Sequence, residues 1–260
     1  MAVKVHPTAL VSPQAELGQG VEVGPFAVIE DQVVIGDETR IDSHVVVKSN
    51  VTIGRGNHIY PFAAIGTDPQ DLTYEGQETS LVIGDENIIR EYVTFHRGSP
   101  KGGGVTRVGS QGMFMAYTHV AHDCQVGDHV VMANVATLAG HVQVEDWAAI
   151  SAMAAVHQFG RVGAHSFVGA VCGVPQDVPP FCMVAGNRAQ LYGLNTVGLK
   201  RRGFSDETLA LLKKAYRILF RNKGSLMAAN LSQVEEELGH VSEVKHLVEF
   251  VRASERGVCR

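Results

Sequence analysis

The sequence lacks paired cysteines, long apolar runs and any surplus of positive charge. Its four cysteines, Cys124, Cys172, Cys182 and Cys259, show no CxxC and no paired spacing. That speaks against a disulfide framework and for the reduced thiols of a cytoplasmic protein. No apolar stretch approaches the ~18 residues of a membrane span. The opening MAVKVHPTAL has no charged region followed by an apolar one, so no signal peptide is expected. With 22 Lys and Arg against 27 Asp and Glu the net charge is −5, which argues against nucleic acid as a partner. What is present is a 260-residue chain, 45% hydrophobic, enough for one large domain or one plus a smaller one. Its 28 glycines recur at intervals rather than bunching as in a linker.

The interval is six. Stepping by six from Val5 meets Val11, Leu17, Val23, Ile29, Ile35, Ile41, Val47, Ile53, Ile59 and Ile65, all aliphatic. The phase resumes at Ile83, Ile89 and Phe95, slips by one residue, and runs again from Val108 to Val174. This is the hexapeptide signature of a parallel β-helix. Each hexapeptide makes one short strand and a corner, and three make a triangular rung of about 18 residues whose aliphatic side chains point into the prism. The small residue after the aliphatic one, as in Gly18, Gly24 and Gly36, is expected to permit the tight corner.

Two stretches leave the pattern. Residues 67–80 (TDPQDLTYEGQETS) keep the six-fold phase, and residues 97–107 (RGSPKGGGVTR) carry three consecutive glycines and read as a mobile loop. Loops leaving a rigid solenoid are favoured places for function. The expected fold is mainly β, a parallel β-helix over 1–190 with these two insertions, followed by a small C-terminal α-helical domain over 191–260. Ser205 is a candidate N-cap, with Asp206 and Glu207 suited to the first turn. Leu209, Leu212, Tyr216, Leu219 and Phe220 follow at helical spacing, and Val244, Leu247, Val248 and Val251 mark a last helix.

The 18-residue rung gives the histidines of HVAHDC (119–124) neighbours. Residues 18 apart stack, so His122, Gly140 and Gln158 share one column, and Asp123 and His141 the next. His157 falls in the column before, and His119 one strand segment away. Two chemistries suit such a cluster. One is general-base catalysis, a neutral imidazole held by a carboxylate. The other is zinc on three imidazoles with an open position for water. A non-catalytic solenoid scaffold is the third reading.

The motifs PQDLTYEGQET (69–79), IREYVTFHRG (89–98), HVAHDCQVG (119–127), ATLAGHVQVED (136–146), AVHQFGRVGAH (155–165), QDVPPF (176–181) and GLKRRGFS (198–205) together resemble the UDP-N-acetylglucosamine O-acyltransferases of lipid A biosynthesis. The likeness covers nearly the whole chain. It implies a left-handed sense for the β-helix, and transfer of a 3-hydroxyacyl chain from the phosphopantetheine thioester of acyl carrier protein to the glucosamine 3-hydroxyl of UDP-N-acetylglucosamine. It also implies a homotrimer with sites between subunits, with neither metal nor cofactor in catalysis. His122 would be the base, Asp123 its orienting partner, and the Gly140 N–H the oxyanion donor. Gln158 would hold the acyl 3-hydroxyl, Gln70 and Asp71 the glucosamine, and Asn195 and Arg201 the nucleotide, while His96, His119, His141 and His157 line the site. Ala170 matches the acyl-length position, where Gly is frequent. Thr73 and Val197 depart from the family's frequent Lys and Glu, and Ser151 and Ala152 from its Gly-Gly. Eight basic residues between Lys200 and Lys223, against Asp206 and Glu207, form a patch suited to an acidic carrier protein.

Overall fold

A computed structural model describes residues 2–222, 224 and 226–260; Lys223 of the basic patch lies outside the described residues. The hexapeptides fold into short strands shared among three sheets of 11, 9 and 8 strands. As far as Gly173–Val174 the neighbours within each sheet are parallel and are every third strand of the chain, so each rung contributes one strand to each face of a prism. Val23 pairs with Ile41 and Ile41 with Ile59. The aliphatic column is therefore continuous, and residues such as Ile41, Ile59, Ile89 and Leu138 are fully buried. Burying such side chains contributes roughly 1.5–3 kcal/mol each.

The corners differ from the expectation in one respect. The glycine after the aliphatic residue does not turn the chain. A Cβ at Gly24 would stand 2.9 Å from the backbone of Asp42, and one at Gly36 2.7 Å from Arg55 N. Glycine is needed there because the next rung lies directly against it. The turn is made two residues later, in the left-handed region, by residues that are mostly not glycine: Phe26 (φ 59°), His44 (φ 60°), Phe62 (φ 66°) and Asp123 (φ 61°). Such φ values are unfavourable for side chains with a Cβ. Here a hydrogen bond to the rung before compensates, as His44 N–H donates to Pro25 O and Trp147 N–H to Asp128 O. At these corners the residue just before the left-handed one makes no backbone bond of this kind, and Pro25, Pro61 and Pro180 occupy that place without loss.

The two insertions enter at one corner. Residues 68–79 join the strands Ala64–Thr67 and Ser80–Ile83, and residues 97–104 join Thr94–His96 and Val105–Val108. Both replace the corner held by Asn50 one rung earlier. Ile53 pairs with Ile83, and Ile83 with Val108, so strand pairing restores the stack across each excursion. The second restart explains the one-residue slip in phase.

The last strand, Gln190–Leu194, runs antiparallel to Cys182–Ala185. Among the described residues four α-helices follow, α1 (Thr196–Arg201), α2 (Asp206–Tyr216), α3 (Met227–Leu238) and α4 (Ser242–Arg252), with a π-helical turn Arg217–Arg221 extending α2. Ser205 caps α2 as expected, its side chain accepting from Thr208 N. The helices bury Leu209, Leu212, Val234, Leu247 and Phe250 around Phe181. They dock on the corner of stacked His129, Trp147, His165 and Phe181, where Phe204 meets His165 edge-on and Arg202 lies over Trp147. Among the described residues no helix is long and apolar enough to cross a membrane. All four cysteines are free and buried, and burial pushes Cys124 up to about 12.

Candidate active site

His122 and Asp123 form the first regular corner above the two insertions. Because Asp123 takes the left-handed conformation, adjacent side chains that would diverge on a flat strand converge here. His122 Nδ1 lies 2.7 Å from Asp123 Oδ2. The Asp123 side chain is 1% exposed and that of His122 13%. An ionised carboxylate only accepts, so Nδ1 carries the proton and Nε2 is the free lone pair. Asp123 N–H donates to Thr106 Oγ1 at 2.8 Å, in place of the carbonyl that serves other corners.

Gly140 stacks on His122 with no room for a side chain: a Cβ there would stand 2.6 Å from Cε1 and 2.8 Å from Nε2 of His122. Gly140 occupies the corner place that is proline in other rungs, and its N–H has no hydrogen-bond partner among the described residues. A free backbone donor thus lies beside the free Nε2. His141 joins them, its Nε2 3.8 Å from Asp123 Oδ2 and its ring edge-on to that of His122 at 5.1 Å.

His119 and His96 sit one segment away, with rings 4.9 Å apart. Thr94 Oγ1 and His119 Nδ1 are 2.7 Å apart. Burial, and then the neighbouring imidazoles, hold both histidines down, His96 to about 4. Both are therefore neutral near pH 7. In the first insertion Asp71 accepts from Thr73 N and Oγ1 at 2.8 and 2.9 Å, and these bonds chiefly hold its carboxyl low. Lys101, and His122 when protonated, lower it further. Thr73, the departure from the family pattern, thus orients Asp71. Gln70 is exposed beside it.

The other expected residues lie apart. His157 and Gln158 are exposed one rung higher, and His157 Nδ1 faces Arg256 Nη2 at 3.1 Å, a neighbour no local pattern announces. Asn195 serves the fold: it caps α1 through Gly198 N and donates to His165 O at 3.0 Å. It belongs to the His165 corner, not to that of His122, and Arg201 is exposed at the end of α1. Ala170 is exposed beside Val171, at the far end of the sheet face that starts at His122. On that face a cavity of about 380 Å³ is lined by Thr137, Ala139, Ala155, His157 and Gly173.

Sequence reading missed two anchors. Arg97 is buried and binds Asp68, Ser49 O (3.1 Å) and Tyr74 Oη (3.2 Å), which ties the first insertion to the β-helix. Ser99 is fully buried and donates twice to Asp123, from N–H to Oδ1 at 2.9 Å and from Oγ to Oδ2 at 2.6 Å. The glycine-rich stretch, expected to be mobile, is pinned on the site.

His122, Asp123 and His141 offer ligand atoms within 4.8 Å of one another, the one such group among the described residues. It contains two imidazoles, not the three of the zinc reading. Both Asp123 oxygens and His122 Nδ1 are already engaged in hydrogen bonds. The donor set is arranged for moving a proton.

The chain is similar to known proteins over nearly its whole length. Residues 177–259 match a family described as UDP-N-acetylglucosamine O-acyltransferase, domain 2, and residues 32–67 match the bacterial transferase hexapeptide. The acyl-[acyl-carrier-protein]–UDP-N-acetylglucosamine O-acyltransferase of Thermodesulfovibrio yellowstonii is 53% identical over 257 residues, covering 99% of each chain. That of a Janthinobacterium species is 51% identical, covering 98% of this chain and 99% of its own. The UDP-N-acetylglucosamine acyltransferase structures from Francisella novicida and Bacteroides fragilis superpose with TM-scores of 0.95 and 0.96, at 40% and 39% identity. Each covers 98% of this chain, and 94% and 100% of its own. The solenoid is thus a left-handed parallel β-helix of hexapeptide repeats with a helical C-terminus, and the chain belongs to the acyl-[acyl-carrier-protein]–UDP-N-acetylglucosamine O-acyltransferase family.

Proposed function

We propose that this enzyme transfers a 3-hydroxyacyl chain from acyl carrier protein to the glucosamine 3-hydroxyl of UDP-N-acetylglucosamine, the first step of lipid A biosynthesis, with His122 as general base. The observation that carries the mechanism is the 2.7 Å contact of His122 Nδ1 with buried Asp123, which leaves Nε2 free beside the unbonded N–H of Gly140. Nε2 takes the proton of the sugar hydroxyl as its oxygen attacks the thioester carbonyl. The Gly140 N–H meets the oxygen that becomes negative. Collapse expels the pantetheine thiolate, which recovers the proton from His122. A base of this kind contributes roughly 10²–10⁴ in rate and one oxyanion donor roughly 10²–10³.

The substrate contacts are assigned on the same reading. Asp71 and Gln70, in the first insertion, take the glucosamine. Gln158, one rung above Gly140, holds the acyl 3-hydroxyl. The acyl chain runs along the face of small residues toward Ala170, whose methyl limits its length. His96, His119, His141 and His157 line the pocket. Asn195 and Arg201 serve the nucleotide of a neighbouring subunit, since in their own chain Asn195 stands at another corner and Arg201 at the end of α1. A homotrimer has further support in the exposed apolar corner of Phe26 (56%), Tyr117 (56%) and Val171 (59%), and in Leu72 at the tip of the first insertion. The buried free thiols suit a cytoplasmic protein. Of the basic patch, Lys200 pairs with Asp206, Lys214 with Glu237, Arg202 lies over Trp147 and Arg221 over Tyr216, which among the described residues leaves Lys213 and Arg217 to steer the carrier protein.

The test is His122→Ala, assayed for transfer from acyl carrier protein across a ladder of acyl lengths. The variant keeps the assembly of the wild type and loses nearly all transfer. Retention of more than about a tenth of the activity would overturn the base assignment.

A further inference from the structure

We propose that the second insertion is a positioning element for the base, and that Ser99 sets how firmly Asp123 holds the His122 proton. The proposal rests on the general-base reading above and adds a residue to it. Ser99 precedes the 3₁₀ turn Pro100–Gly102, where a serine hydroxyl ordinarily caps the turn. Here it makes no cap bond. It turns instead to Asp123 Oδ2, the same oxygen that accepts from His122 Nδ1. The Ser99 backbone N–H takes the other oxygen, so the carboxylate is fixed at both ends.

The loop is built to reach this spot. Gly102 N–H and Gly104 N–H both donate to Ser99 O. Gly98 N–H donates to Ser80 O, and Ser80 N–H to Gly104 O, which closes the loop at its base. A Cβ at Gly98 would run into the backbone of Gly104 and Val105, and one at Gly102 would fall on the Asp123 carboxylate. These two glycines are thus explained by close approach. Gly103 and Gly104, at φ 92° and 79°, supply the return turn.

The chemical consequence has a definite sign. Two donors share Asp123 Oδ2. Removing the Ser99 hydroxyl leaves His122 as the one hydrogen-bond donor within reach of that oxygen among the described residues, with His141 Nε2 farther off at 3.8 Å, and makes it a stronger acceptor, so the protonated imidazole is held more tightly. The base then becomes available only at higher pH.

The experiment is the pH profile of kcat/KM for the wild-type enzyme, Ser99→Ala, Ser99→Thr and Asp123→Asn. Ser99→Ala moves the acid limb up by about half a pH unit or more, and lowers the rate on that limb roughly three- to tenfold. It changes the KM for UDP-N-acetylglucosamine less than about twofold, because Ser99 is buried away from the sugar. Ser99→Thr, which keeps the hydroxyl, restores the wild-type limb. Asp123→Asn moves the limb the other way, since it removes the charge that favours the imidazolium, and kcat falls. A Ser99→Ala limb that stays in place or moves down overturns the loop's role, whether or not activity falls. An Asp123→Asn limb that does not move overturns the base reading beneath it.

Discussion

The ring of His122 occupies the space that a side chain at position 140 would fill, 2.6 Å from the nearest point of an added Cβ. The ring cannot swing away without breaking its 2.7 Å bond to Asp123. Gly140→Ala is therefore expected to displace the imidazole and lower kcat by about 10²–10³, the range of a lost oxyanion donor or a misplaced base. The melting temperature should change little, because the strands on either side keep their register. Steady-state kinetics beside a thermal melt check this, and near-normal kcat would show that the ring tolerates displacement.

Arg97 holds the acceptor loop from below. Its guanidinium reaches Ser49 O, Asp68 and Tyr74, joining the rung beneath to the first insertion. Lysine cannot supply the same fork of donors. Arg97→Lys should raise the KM for UDP-N-acetylglucosamine by roughly tenfold or more through looser placement of Asp71, with a smaller change in kcat. Kinetics with the sugar nucleotide varied at saturating acyl carrier protein would read it, and an unchanged KM would detach this anchor from substrate binding.

The helical domain is tied to the β-helix by a pair that titrates. His246 on α4 lies 2.8 Å from Glu145, whose Oε2 also accepts from Ala164 N. The hydrogen bond to Glu145 raises His246 above 6.5, against burial and the charge of Arg161 and with help from Glu249. Burial pushes the Glu145 carboxyl up, but His246 outweighs it and the group ends below 4.5. The histidine's contribution is complete below 6.5 and lost as pH rises through its raised value; the carboxylate's is complete above 4.5 and lost as pH falls. The pair thus stabilises most between those values. Its side chains are 39% and 30% exposed, so solvent screening keeps the effect to about 1 kcal/mol or less. Thermal melts of wild type and His246→Gln should differ most near pH 5.5 and converge as pH rises past the histidine's raised value. A gap that grows with pH would contradict the sign.

Much of this was legible in the sequence because a solenoid makes distance regular. The six-residue period predicted the three sheets, and the 18-residue rung put His122 against Gly140 and beside His141, as found. The corner was misread: Gly24 and Gly36 are there for close stacking, and the turn falls on residues such as Phe26 that no composition rule would nominate. Ser99 and Arg97 were hidden because their partners lie 24 and 48 residues away across the insertions, where the period gives no register. Arg256 meets His157 across 99 residues, from a part of the chain with no repeat at all. Helix α3 (MAANLSQVEEEL) also passed unnoticed, since its apolar face is short and no side chain caps its start.

Both insertions leave the prism at the same edge, in successive rungs, and strand pairing resumes after each regardless of how many residues were added. The edge thus separates two kinds of specification. The rungs above hold His122 and Asp123 in register with Gly140. The excursions below can change in length without disturbing the stack. On the proposed reading, replacing residues 68–79 is expected to change which acceptor is taken, while Ser99, which reaches up from the second excursion to Asp123, keeps the base in place.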